Sequence, residues 1–180
     1  ILERGGYKVF KRKETHISLN NTGSEDVLLF GSGGDLLDQV SYVGSYEGQS
    51  YMRSDEGAWL WTGELSPGAR NIFKNVESIV SSTTTGTIEL KTRKDDLEQE
   101  LSFYAPDDFA FIEISEVFPN PKGADDGEFI EIYNRGSAAI DLAGLKLDDE
   151  EGGSRPYEFP IGTVIPSYSF KSLASTSAND

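Results

Sequence analysis

Short apolar runs with a two-residue period, punctuated by glycine, asparagine and proline, fill this chain, and no stretch sustains the period of a helix. Tyr7-Lys-Val-Phe10 alternates after Gly5-Gly6, and Ile17-Ser-Leu19 predicts a second short strand. Asn20-Asn-Thr-Gly23 supplies turn chemistry, because Asn and Gly tolerate positive φ. Val27-Leu-Leu-Phe30 is apolar throughout, which predicts a strand buried on both faces. Gly31-Ser-Gly-Gly34 then turns the chain into Leu36 to Tyr42, and the two runs read as a hairpin. Tyr51-Met-Arg53 and Ala58-Trp-Leu-Trp61 continue the pattern, and Pro67-Gly68 closes it with a turn. Trp59 and Trp61 stand two apart, so they share one face of a strand, where they are expected to cover a sheet.

From Lys74 to Asp108 the pattern changes. Ser81-Ser-Thr-Thr-Thr-Gly86 holds nothing that builds a core, Gly86 to Thr92 has strand-like alternation, and Lys94 to Leu101 has Leu97 and Leu101 at helical spacing. The stretch as a whole reads as a linker. A second block follows, with strands expected at Phe109 to Ile114, Phe129 to Tyr133, Ile140 to Leu142, Leu145 to Leu147, Tyr157 to Phe159 and Thr163 to Ile165. Pro119-Asn-Pro121 breaks the first of these from the second. In Phe129 to Tyr133, Ile130 and Ile132 face one side and Phe129, Glu131 and Tyr133 the other. The expected architecture is all-β.

Composition agrees, with 19 glycines and 11% aromatic residues among 180. The net charge of -15 repels a phosphate backbone, and the one basic cluster, Lys8, Lys11, Arg12 and Lys13, is too small to offset it, so nucleic acid is not an expected partner. Zero cysteines exclude a disulfide framework, a thiolate nucleophile and a cysteine zinc site. No apolar run nears the roughly 20 residues of a membrane span, so direct membrane insertion by a helix is not expected. Ile1 opens neither a signal peptide nor a normal translation start, and the expectation is a processed product or a piece of something longer.

Particular motifs carry a resemblance. Ile114-Ser-Glu-Val117, the Pro119 to Pro121 turn, the acidic loop from Gly123 to Gly127, Glu128-Phe-Ile-Glu131, Tyr133-Asn134, Asn134-Arg-Gly136 and Asp141-Leu-Ala-Gly144 stand in one order at close intervals. This block is similar to the opening half of the lamin tail domain, an immunoglobulin-like family, as it occurs in bacterial secreted and surface proteins. The first block, with Gly5-Gly-Tyr7, Leu19-Asn-Asn-Thr-Gly23, Val27 to Phe30, Asp38 to Tyr42 and Ser66-Pro-Gly-Ala-Arg-Asn71, resembles the closing half. The resemblance therefore implies an immunoglobulin-like β-sandwich of lamin-tail type with its halves in inverted order. It divides the chain into a closing half at 1–73, a linker at 74–108 and an opening half at 109–180.

Thr163-Val-Ile-Pro-Ser-Tyr-Ser-Phe-Lys171 occupies the place in that pattern that Ile1 to Lys8 also occupies, so one strand is duplicated. A circular permutant with a strand to spare fits, and so does a tandem array cut inside two domains. A half-sandwich exposes an apolar face and open edges, so each half needs a complement. Closure within one chain is the expectation, because a tethered half has a high effective concentration. Head-to-tail complementation between molecules is the alternative. The spare strand is where a second molecule is expected to bind.

Catalytic constellations are not legible. His16 is the only histidine, no Gly-x-Ser-x-Gly turn is present, and Gly31-Ser-Gly-Gly34 lacks the lysine of a phosphate loop. Glu116, Glu128 and Glu131 belong to the resembled domain's own pattern, so hydrogen bonds to loop amides are expected of them rather than acid/base work. Two acidic loops, Asp125-Asp126 with Glu128 and Asp148-Asp149 with Glu151, offer hard oxygen ligands to calcium, although neither matches the twelve-residue calcium loop. Asn20-Asn-Thr22 fits a glycosylation sequon, a frequent chance match.

What the resemblance implies is a non-catalytic structural or protein-interaction module of a bacterial extracellular or cell-surface protein. A protein partner or a second copy is expected, and no cofactor is, calcium aside. The alternatives are an accessory binding module of a secreted hydrolase or nuclease, and a calcium-dependent adhesion module.

Overall fold

The computed structural model describes residues 6–73, 109–149 and 153–167. In chain order the strands are β1 (Tyr7–Lys11), β2 (Ser24–Phe30), β3 (Leu36–Val43), β4 (Ser50–Arg53), β5 (Trp59–Thr62), β6 (Ile112–Phe118), β7 (Phe129–Asn134), β8 (Ile140–Asp141), β9 (Lys146–Asp148), β10 (Tyr157–Glu158) and β11 (Val164–Ile165). Among the described residues, helical pieces include a four-residue turn, α1 (Arg12–Thr15), and a 3-10 turn at Asp125–Gly127. The linker with its expected strand and helix, and Glu151, lie outside the described residues.

The strands form a five-stranded sheet in the order β1-β7-β6-β4-β5, a four-stranded sheet in the order β10-β9-β2-β3, and a small β11-β8 ladder. Every pairing among the described residues is antiparallel. Between the two larger sheets lies one core, with Val27, Leu29, Val40 and Tyr42 from one side and Ile112, Ile114, Val117, Ile130 and Ile132 from the other. The fold is an all-β, immunoglobulin-like sandwich.

Strands from the first and second blocks share both sheets. β1 lies along β7 with Phe10 opposite Ile130, β4 lies along β6 with Met52 opposite Glu116, and β2 lies along β9 with Leu29 opposite Leu147. Among the described residues the buried core cluster draws on both blocks. The five-stranded sheet alternates as the sequence predicts, with Ile130 and Ile132 inward and Glu131 and Tyr133 on the opposite face.

Three expectations change. Ile17-Ser-Leu19 is not in a ladder: Ile17 and Leu19 are buried plugs, and their strand-like alternation is satisfied by side chains, Ser18 N donating to Ser154 Oγ and Leu19 N to Glu128. β2 is buried on one face only, through Glu25, Val27 and Leu29, while Leu28 and Phe30 are half-buried. The second block's first strand starts at Ile112 rather than Phe109 and runs through Ile114-Ser-Glu-Val117 to Phe118, with a bulge between Ile114 and Glu116. That bulge lets Ile114 and Val117 both face the core although they stand three apart.

Candidate functional site

The outer face of the five-stranded sheet is where this chain places its buried charge. Glu116 on β6 and Glu131 on β7 are opposite one another in the ladder, and both are fully buried. A carboxylate there needs donors, and the turn Ser66 to Asn71 folds over the sheet to supply them. Gly68 N donates to Glu131 Oε2 at 2.5 Å, and Ser115 Oγ donates to Oε1 at 2.7 Å. The Ser66 hydroxyl lies 3.3 Å from Glu116 Oε2 and 3.1 Å from Asn71 Oδ1. Asn71 in turn donates through Nδ2 to Arg53 O and Ser115 O, at 2.9 and 2.8 Å, which ties the turn to β4 and β6 at once. Glu116 Oε1 and Ser50 Oγ are buried and have no partner in good hydrogen-bond geometry.

Burial pushes Glu131 up to about 8, against the hydrogen bonds from Ser115 and Gly68 and with the nearby Glu116 charge adding to the rise. Glu116 is also raised by burial, which the Ser50 and Ser66 hydroxyls only partly offset. The main physical reason is shared: each carboxyl is buried, and burial penalises the charged form.

Glu128 is the third anchor. It is raised by burial despite accepting from Leu19 N at 3.0 Å and from the Arg12 guanidinium at 2.7 Å. Arg12 is delivered by α1, whose end is fixed by His16 in the left-handed region at φ 62. All three glutamates come from the second block, and the loops they hold, at 12–19 and 66–71, come from the first. The expected hydrogen bonding of these residues to loop amides is what the geometry shows for Glu128 and Glu131.

The acidic loops are separately placed. Arg12 fills the space beside Asp125, 3.6 Å away, as well as Glu128, so the first candidate calcium site already holds a cation of the chain's own. Asp126 is exposed and lines a shallow cleft with Arg12, Lys13 and the exposed His16. In the second loop, Asp149 is buried and both its oxygens accept from Ser154 N, while Asp148 Oδ1 accepts from Asp149 N. Among the described residues no three His, Cys, Asp or Glu side chains are grouped to hold a metal ion.

Two further clefts open among the described residues. One of about 380 Å³ crosses the seam between the blocks and is lined by Tyr7, Arg53, Arg70, Asn71, Glu113 and Tyr133. Its guanidiniums are already engaged, Arg53 by Asp38 and Glu113 and Arg70 by Asp55. The other, of about 370 Å³, is lined by Phe109, Phe111 and the turn from Gly136 to Asp141. Gly31 to Gly34 is a hairpin turn, with Gly34 N donating to Gly31 O, and Trp59 and Trp61 are half-buried against the core, as their spacing predicts.

Sequence spacing did not single out Asn71 and Asn134. Asn134 is fully buried, its Nδ2 donating to Ala138 O at 2.8 Å and lying within 3.4 Å of Ile165 O and Pro166 O, while its Oδ1 accepts from Gly136 N. The only available signal was that each asparagine ends a recognisable motif.

This arrangement is an immunoglobulin-like module whose polar side chains are spent on internal loops. Residues 107–180 match the Lamin Tail Domain family. That family is an immunoglobulin-like domain, and the match suggests a structural or interaction module. No curated protein and no solved structure matches the chain.

Proposed function

We propose that this chain is a structural, protein-interaction module of a bacterial extracellular or cell-surface protein, and that it works by complementation between a closing half-domain at 1–73 and an opening half-domain at 109–180. The observation that carries the reading is the seam: three strand pairings and three buried glutamates, and at each of them one block supplies what the other lacks. A seam of that kind forms between two molecules with the contacts it makes inside one, so head-to-tail assembly follows from the same surface.

The test uses the folded chain with a site for a specific protease placed between Ser81 and Gly86. After cleavage the two pieces are expected to co-elute in size exclusion and to separate only under denaturant. Pieces that drift apart in native buffer would sink the complementation reading. Concentration-dependent polymers of the intact chain would assign the assembly to different molecules. A calcium role is confined to the loop at 148–153, because Arg12 already neutralises Asp125 and Glu128. Thermal melting with and without millimolar calcium tests it, and an unchanged midpoint ends it.

A further inference from the structure

Among the described residues four strands end the two larger sheets, and three of them are guarded. β10 is two residues long between Pro156 and Pro160, β5 is four residues long and runs into Gly63, and β1 carries Lys8 and Lys11. Short length, proline and lysine are devices that keep an edge from pairing with another chain. β3 has none of them. It runs for eight residues, and among the described residues only β2 pairs with it. Its one charged side chain is turned inward: Asp38 accepts from Ile114 N at 2.8 Å and from Arg53 Nη1 at 3.1 Å. In the stretch expected to receive a second molecule, 163–171, Val164–Ile165 is already paired with β8.

The register fixes which backbone groups of β3 face outward. Gly44 N donates to Gly23 O at 2.6 Å, and Val43 stands opposite Ser24. Bonded and non-bonded pairs alternate along an antiparallel ladder, so Tyr42 and Val40 bond to β2 while Val43, Ser41 and Gln39 aim N–H and C=O at the free side. The side chains of these three are exposed and uncharged, Val43 at 82%. Leu28, opposite Gln39, is half-buried on the same outer face, and Asp26, opposite Ser41, accepts from the Ser41 hydroxyl. A regular, neutral edge is therefore open on a chain of net charge -15.

We propose that β3 is a dimerisation edge: the β3 strands of two copies pair antiparallel about a two-fold axis at Ser41 and join two four-stranded sheets into one of eight. The strip is its own complement. With Ser41 opposite Ser41, Gln39 of each copy meets Val43 of the other, and the outward groups of all three residues find partners. Val43 of one copy then extends the row of Leu28 and Gln39 on the other, which covers the exposed valine. An extended segment of an unrelated protein supplies the backbone bonds without this matched row. A second copy also brings no outward carboxylate on the strand that pairs. The interface goes beyond the complementation seam, which uses β1 with β7, β4 with β6 and β2 with β9 and leaves β3 out.

Sedimentation of the intact chain from about 1 to about 500 µM is expected to show monomer giving way to dimer and stopping there. More dimer is expected at about 0.5 M sodium chloride than at low salt, because screening lifts the repulsion between acidic copies. Val43→Lys, at an exposed position where the melting curve checks the fold, is expected to lower the association constant about tenfold, since it acts twice in a symmetric contact. The chain has no cysteine, so engineered ones report the register. Opposed residues of a hydrogen-bonded pair lie about 5.5 Å apart at Cα, within disulfide reach, whereas the two Gln39 residues are offset by about 13 Å along the strands. Ser41→Cys should therefore link two copies on mild oxidation, and Gln39→Cys should link only when mixed with Val43→Cys. A chain that stays monomeric throughout, a dimer that Val43→Lys leaves unchanged, or Gln39→Cys self-linking as readily as Ser41→Cys overturns the β3 pairing. Polymers that grow past the dimer and ignore Val43→Lys would assign association to the seam and overturn it as well.

Discussion

Glu131 decides how this molecule responds to pH. Its pKa is raised from the ordinary 4.5 to about 8 by burial, so between those values the folded state holds a proton that the unfolded chain has released. Stability must therefore fall as pH rises through that window and level off above it. Glu116, Glu128, Glu113 and Asp148 are raised too, and all act in the same direction. At about 1.4 kcal/mol per unit, Glu131 alone can cost several kcal/mol at alkaline pH. Glu131→Gln keeps an acceptor for Gly68 N and removes the charge. It is expected to raise stability by about 1–3 kcal/mol at pH 8.5 and to flatten the fall between pH 5 and 8. Denaturant titrations at pH 5 and 8.5 measure this, and a variant that falls as steeply as the parent chain and is no more stable at pH 8.5 would show that the carboxylate is fully compensated. Asn134→Asp makes the converse point. It replaces the donor that serves three carbonyls with an acceptor, and a loss of about 2–4 kcal/mol is expected by the same titration. Glutamates with a structural role were legible as part of a motif, yet the asparagines that tie the loops were not. A lone asparagine has no spacing signature, and its partners at 53, 115, 138 and 166 are brought to it only by the fold.

At the scale of elements, what alternation predicts and what it misses have one cause. It places β1, β3, β4, β5 and β7 to within a residue or two, because each has one face on the core. It fails at Ile17 to Leu19, where the same burial pattern arises without a ladder, since Glu128 and Ser154 satisfy the backbone that a neighbouring strand would otherwise pair. It also fails at Val27 to Phe30, where four apolar residues in a row look buried on both faces although the outer face is only half covered. Periodicity registers which side chains are apolar, and cannot register what the backbone bonds to. β1 begins just after Gly6 for a reason the sequence did hint at: φ is +102 at Gly6, and an added Cβ would come within 2.9 Å of Asn134 O. Gly6→Ala is expected to cost about 1–3 kcal/mol and to loosen β1 from β7. Hydrogen exchange at Phe10 and Ile132 reads it, and protection equal to that of the parent chain would count against the seam being strained there.

For the whole molecule the question is whether two blocks make one cooperative unit. The order of strands answers it in physical terms. In the five-stranded sheet β7 and β6 of the second block sit between β1 and β4 of the first, and in the other sheet β9 lies against β2. Removing either block leaves the other with an open edge and half of a shared core, so no partly folded state with one intact block has enough buried apolar surface to persist. Unfolding should then be two-state across the seam. The two tryptophans, Trp59 and Trp61, are both in the first block, whereas Ile114, Ile130 and Ile132 lie in the second, so the halves carry separable probes. Tryptophan fluorescence and hydrogen exchange at those isoleucines are expected to give one denaturation midpoint within error. A fluorescence transition at lower denaturant than the loss of isoleucine protection would mean that the second block stands alone. The net charge of -15 adds a second lever on the same transition. Self-repulsion among surface carboxylates opposes the compact state and is screened by salt, so the common midpoint should rise between low and about 0.5 M sodium chloride. The two probes should rise together, because the repulsion acts on a single folded unit rather than on either block alone.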